Sequence, residues 1–162
     1  MELGRIAFAN KDLAVAETAF RHSVKLARHS CYRSVKNYLL FAKAVQHKIS
    51  PSSSRETRAG SADAFKAIEE VKAIYGDSPE YVLEATMIES TTYSNLGKEA
   101  DAKACADKAE KLLEEVNDPS NGTLLSMANL YIATKQHAKA QDLLNDISKS
   151  GRCSARFIKR NY

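Results

Sequence analysis

Four histidines, three cysteines and two adjacent glutamate pairs are the side chains of this 162-residue chain whose types could support bond-making chemistry. Their spacing argues against that use. His22, His29, His47 and His137 are scattered. His29 and Cys31 stand two apart near a helix end, which cannot by itself complete the four-ligand shell of a zinc site. Glu69-Glu70 and Glu114-Glu115 are sequence neighbours, so on a helix the members of each pair diverge by about 100° and cannot act as acid and base on one substrate. Cys31, Cys105 and Cys153 make no CxxC pair, and reduced thiols in a cytoplasm are expected. No GxSxG, phosphate-binding P-loop, HExxH or dinucleotide glycine fingerprint is present. The chain reads as a non-enzyme, with no cofactor, no metal and no catalytic residue.

The residues that remain must therefore be positioned for binding, and the composition says by what. With 44% apolar and 27% charged residues, few glycines and no tryptophan, the sequence has the profile of one globular domain. Alanine, leucine, lysine and glutamate favour helix. No run of 18 apolar residues suits a membrane span, and no charged-then-apolar leader opens the chain. The net charge of +4 conceals an uneven distribution. Residues 1–60 carry 11 Lys/Arg against 4 Asp/Glu, residues 61–150 carry 9 against 16, and the last twelve add four cations. Solvated helix faces account for this in the plainest way, and an acidic partner meeting the basic end in the sharper one.

A repeat organises the helices. Ala16, Ala64, Ala102 and Ala140 are separated by 48, 38 and 38 residues. Four residues on come Phe20, Ile68, Ala106 and Leu144, and three further Ser23, Val71, Ala109 and Ile147, the i, i+4, i+7 stripe of one helix face. Upstream, Gly4, Ala42, Ser90 and Ala128 are separated by 38, 48 and 38, each with Ala7, Val45, Tyr93 or Tyr131 three residues later. Removing "PSSSRETRAG", residues 51–60, restores a uniform interval of 38. One helix pair has been used four times, with a loop inserted in the second copy. Ser78-Pro79-Glu80 and Asp118-Pro119-Ser120 mark helix starts, while Gly76 and Gly97 suit the left-handed position after a helix end. Helices are predicted over 2–9, 12–29, 33–48, 62–75, 79–96, 99–116, 121–134 and 137–149.

Tyr93-x-x-Leu96-Gly97…Ala102-x3-Ala106-x2-Ala109 resembles the tetratricopeptide repeat, as do Ala128-x-x-Tyr131…Ala140-x3-Leu144 and Tyr38-x-x-Phe41-Ala42. The resemblance covers residues 1–149 and implies an all-α fold: antiparallel helix pairs stacked as a right-handed superhelix, an α-solenoid. Glu89 in place of an apolar residue, Lys135 where glycine is common and the period of 38 rather than 34 depart from the family pattern. Residues 3–30 are similar to the start of the repeat region in bacterial response regulators that join a receiver domain to such an array. That likeness implies two-component signalling. Met1 falls inside the first helix of a repeat, so a shortened first repeat or a fragment is expected. Residues 150–162 read as a capping helix or a basic tail.

The resemblance places a partner-binding groove on the first helix of each pair. The positions carried over are Arg5 and Phe8; Lys36, Leu39, Lys43 and His47; Glu84, Met87, Thr91 and Asn95; and Leu125, Asn129 and Ile132. Cations concentrate in the first two repeats and apolar or amide groups in the last two, which would suit a peptide or helix with an acidic end. The basic–asparagine clamp for a chaperone tail is not reproduced. Self-association through edge helices, with Ile6 and Phe8 exposed, is the alternative. Nucleic-acid binding through residues 1–60 is weaker, because aromatics do not cluster beside the charges and residues 61–150 would repel phosphate.

Overall fold

The computed structural model describes residues 2–28, 35–49 and 60–149, and every regular element among them is an α-helix. In chain order these are α1 (Glu2–Ala9), α2 (Leu13–Arg28), α3 (Val35–Lys48), α4 (Ser61–Ile74), α5 (Pro79–Asn95), α6 (Glu99–Glu115), α7 (Asn121–Ala133) and α8 (His137–Lys149). The predicted bounds agree to within two residues. The 51–60 insertion apart from Gly60, the 150–162 segment, His29, Cys31 and Cys153 lie outside the described residues.

Small residues decide how the helices pair. Gly4, Ala42, Ser90 and Ala128 are all buried, and so are Ala16, Ala64, Ala102 and Ala140. A methyl group added at Gly4 would stand 2.7 Å from the ring of Phe20, so α1 and α2 approach too closely for any side chain there. At the equivalent place Ser90 donates its hydroxyl to the carbonyl of Ala102 at 2.6 Å, which satisfies a buried polar group within the contact. Each helix packs on the next along the chain, and α5 also touches α3 and α7. Ala85 and Ile88 of α5 enter the core that holds Phe20, Tyr38, Phe41 and Ile68. Leu83 and Met87, on its other side, enter a second core with Ala106, Met127 and Leu130. Two positions of the expected stripe depart from it: Ser23 is half-buried and Leu144 is 39% exposed.

The turns within pairs repeat in detail. In the first, Asp12 N–H donates to Ala7 O and Lys11 N–H to Phe8 O; in the third, Lys98 to Tyr93 and Gly97 to Ser94; in the fourth, Gln136 to Tyr131 and Lys135 to Ile132. This is a Schellman closure, which needs a left-handed residue. Gly97 supplies it at φ 76°, whereas Lys11 and Lys135 are held there at φ 61°. The expectation that Gly76 also takes this conformation is corrected: its φ is not positive, because the turn after α4 closes instead with Ser78 N–H donating to Tyr75 O. Ser78 is the N-cap of α5 as predicted, and at the helix start expected around Asp118-Pro119-Ser120 it is Ser120 that caps α7. Ser120 accepts from Thr123 N–H at 3.1 Å, whereas the Ser78 hydroxyl turns to Glu80 at 3.2 Å.

Charges bind the first half of the chain to the second. Arg21 of α2 pairs with Asp63 of α4 and with Glu17 on its own helix, and Arg28 grips Glu70 through two bonds of 3.1 and 2.5 Å. The partners lie seven residues apart on both helices, so two rungs form along one line. Lys48 Nζ reaches Glu17 at 2.6 Å. Burial alone would raise the Glu17 carboxyl, but the bonds from Lys48 and Arg21 outweigh it and hold the pKa low. The uneven charge of the sequence is thus partly answered inside the molecule.

Because a side chain at φ near 60° is strained by about 1 kcal/mol or more, Lys135→Gly is expected to raise the midpoint of thermal unfolding by a few degrees. Its exposed pair with Glu99 contributes little that would be lost. Calorimetry on the two proteins tests this; an unchanged or lower midpoint would mean that the left-handed turn carries no strain.

Candidate partner-binding groove

A groove of about 1010 Å³ runs across α3, α5 and the entry to α7. Lys43, Gln46 and His47 line it from α3, Glu80, Glu84, Met87 and Thr91 from α5, and Gly122, Ser126 and Asn129 from α7. Phe8 of α1 and the 116–120 connection before α7 also line it. The α5 members stand at i, i+4, i+7 and i+11, one continuous helical stripe, and the α7 members at i, i+4 and i+7. Proline at the first position of α5 and the Ser120 cap of α7 fix where both stripes begin. Leu83, Met87 and Leu130 form the buried floor, and Gln46, Thr91, Ser126 and Asn129 supply polar groups around it.

Seven predicted residues meet here: Phe8, Lys43, His47, Glu84, Met87, Thr91 and Asn129. The others are placed elsewhere. Leu39 belongs to the first core and does not line the groove. Arg5 is exposed beside Glu2 at 3.9 Å, and Lys36 is exposed outside the groove. Asn95 donates to the carbonyl of Gln46 at 3.0 Å, fastening the end of α5 to the end of α3. Leu125 and Ile132 sit off the α7 stripe, which runs through Gly122, Ser126 and Asn129 instead. Extending the α5 stripe four residues back would have found Glu80. Nothing local in the sequence announces residues 116–119, because a loop reaches a groove only through the packing of the helices that it joins.

Electrostatics differ from the expected gradient. Lys43 Nζ lies 2.6 Å from Glu84 Oε1, an ion pair spanning α3 and α5 across the groove. His47 stacks edge-on against Phe8, with ring centroids 5.4 Å apart. Desolvation by its packed neighbours, and secondly the Lys43 charge, lower the His47 pKa, although the residue keeps solvent contact. Thr91 donates to Met87 O at 2.9 Å, as a helix-internal threonine does.

Burial, and secondly the Glu89 carboxylate, raise the pKa of the Cys105 thiol and leave it protonated at neutral pH. Glu89, which breaks the apolar pattern of the repeat, pairs with Lys72 of α4, so its charge is compensated at a helix contact. Among the described residues no group of three or more histidine, cysteine, aspartate and glutamate side chains could hold a metal. No helix among them is long and apolar enough to cross a membrane.

No family model matches the chain, and neither does any curated protein or solved structure.

His47 is expected to titrate below its ordinary value of about 6.5, and Lys43→Met to move its midpoint upward by removing the nearby cation. The imidazole proton shifts followed by NMR against pH decide this. A midpoint at or above the ordinary value, unmoved by Lys43→Met, would show that neither packing nor the Lys43 charge acts on the ring.

Proposed function

We propose that residues 1–149 form a tetratricopeptide-like array of four helix pairs, a right-handed α-solenoid, that holds a peptide or helix of a partner protein. It is a binding scaffold and not a catalyst. The observation that carries this reading is the groove itself: an apolar floor with polar groups at fixed helical spacing around it, open along one side. The array reading draws support from the same left-handed turn in three pairs and from small residues at four equivalent helix crossings. A place in bacterial two-component signalling, in a cytoplasm, rests on the likeness of residues 3–30 to response-regulator repeat regions. Nucleic-acid binding is not proposed. Arg21, Arg28, Lys43 and Lys48, four cations of the basic segment, are engaged by carboxylates of this chain.

Asn129 is exposed and lines the groove, so Asn129→Trp obstructs it without disturbing either core. Pull-downs with both proteins, read by mass spectrometry, are expected to retain a partner on the wild type alone. Identical bound sets from a folded variant would rule out the groove as the binding face.

Self-association is a second reading, favoured by Leu3, Ile6, Val15 and Leu26, all exposed on α1 and α2, with Leu26 at 73%. Phe8 is not part of that face, since it packs on the core and on His47. Light scattering over a concentration series is expected to show mass growth under this reading, and a constant monomer mass would dismiss it.

A further inference from the structure

Exposed aliphatic side chains collect on two of the helix pairs. Of the seven large hydrophobic residues exposed among those described, four stand on α1 and α2 and two on α7 and α8. Five of these six have equivalents, by the intervals of 38 and 48, that join one pair to the next. Leu3 takes the position of Glu89, which pairs with Lys72 of the preceding pair. Ile6 takes that of Thr92, buried between Ile88 and Asn95 on the stripe of α5 that meets the preceding pair. Val15 takes that of Asp63 and of Lys139, which bond back to Arg21 and Glu110. This face of α1 and α2 is therefore the one that a later pair turns toward its predecessor.

The α7–α8 pair presents the opposite half. Ile132 stands where Ser94 donates to the Ala133 carbonyl of the next pair at 2.8 Å, and where the Gln46 carbonyl accepts from Asn95. Leu144 stands where Ile68 shares a core with Ile88 of the next pair, and where Ala106 shares one with Leu130. The charges change on both halves together. Within the molecule this contact carries Lys72 with Glu89, Arg21 with Asp63, and Glu110 with Lys139. On α8, Ser148 replaces Lys72 and Glu110, and Asn145 replaces Arg21; on α1 and α2, Leu3 and Val15 replace the partners. The two halves are neutral at the same places, so joining them strands no charge there.

Resting on the self-association reading, we propose that a second copy of this chain sets α1 and α2 on α7 and α8 of the first. The stacking that joins pairs within one molecule then continues into the next. Leu3 and Val15 meet Ser148 and Asn145, and Ile6 meets Leu144. Two different faces make this contact heterologous, so each molecule keeps one free half and growth passes the dimer. Leu26 stays outside the contact, as its equivalent Ile74 does, which is also exposed.

Light scattering on the full chain over a concentration series, with Ile6→Asp and Leu144→Asp, tests the pairing of faces. Both side chains are exposed, and circular dichroism checks that each variant keeps its helix. Should either unfold, Val15→Asp or Ile132→Asp takes its place. Wild-type mass is expected to grow past a dimer, and each variant alone to stay monomeric. An equal mixture of the two variants is expected to form a dimer and nothing larger, because one intact interface remains between them. Growth unaffected by Leu144→Asp but abolished by Ile6→Asp would overturn this inference and leave self-association through α1 and α2 alone. A constant wild-type monomer mass would remove the self-association reading and the inference with it. If Phe157→Asp then released growth, the chain's own residues 150–162 would be the occupant of the α7–α8 face.

Discussion

Where the two helices of a pair cross, a hydrogen atom, a methyl or a hydroxyl is all that separates them. Gly4 under Phe20, Ser90 on the Ala102 carbonyl and the buried Ala42 and Ala128 are variants of this one contact. A larger group would force the backbones apart, and overpacked cores typically lose about 1–3 kcal/mol. The consequences extend past the crossing. Close approach fixes the rotation of each helix about its own axis. That rotation in turn decides which stripe of α5 meets each core and which is left for the groove. Leu83 and Met87 reach the floor only because Ala85 and Ile88 are held on the opposite side.

Charge works differently from packing here. The ion pairs between α2 and α4 and between α3 and α5 are half-exposed, and each contributes at most about 1 kcal/mol. Their effect is on register and on what remains available. A bidentate grip such as Arg28 on Glu70 tolerates little sliding of one helix along the other. Arg21, Arg28, Lys43 and Lys48 of the basic first segment, which look free in the sequence, are engaged by carboxylates in the fold.

Glu89 stands where Leu3, Phe41 and Met127 are apolar, and Lys135, like Lys11, stands at a turn where the equivalent residue is Gly97; the structure answers the two in different ways. Lys72 from the preceding helix neutralises Glu89 at the α4–α5 contact. Lys135 keeps the left-handed turn without the residue that would make it easy, because the bonds of Lys135 and Gln136 to Ile132 and Tyr131 hold the backbone there. Neither departure displaces a helix. The small-residue crossings recur at intervals of 38 or 48 residues, and local irregularities are absorbed around them.

The sequence alone determined the helices, their bounds and the fourfold spacing, because helical periodicity and capping are local properties written every three or four residues. It also determined the small residues at the crossings, whose 38-residue interval has no other economical origin. The groove was legible in part. Glu84, Met87 and Thr91 followed from helical spacing on α5, whereas Leu39, Asn95, Leu125 and Ile132 did not, since the rotation of α3 and α7 comes from contacts with other helices. Tertiary structure alone decided which charges meet. Arg21 and Asp63, or Lys43 and Glu84, are more than forty residues apart in the chain. Whether two such charges cancel depends on their distance in space, which a tally along the sequence does not contain.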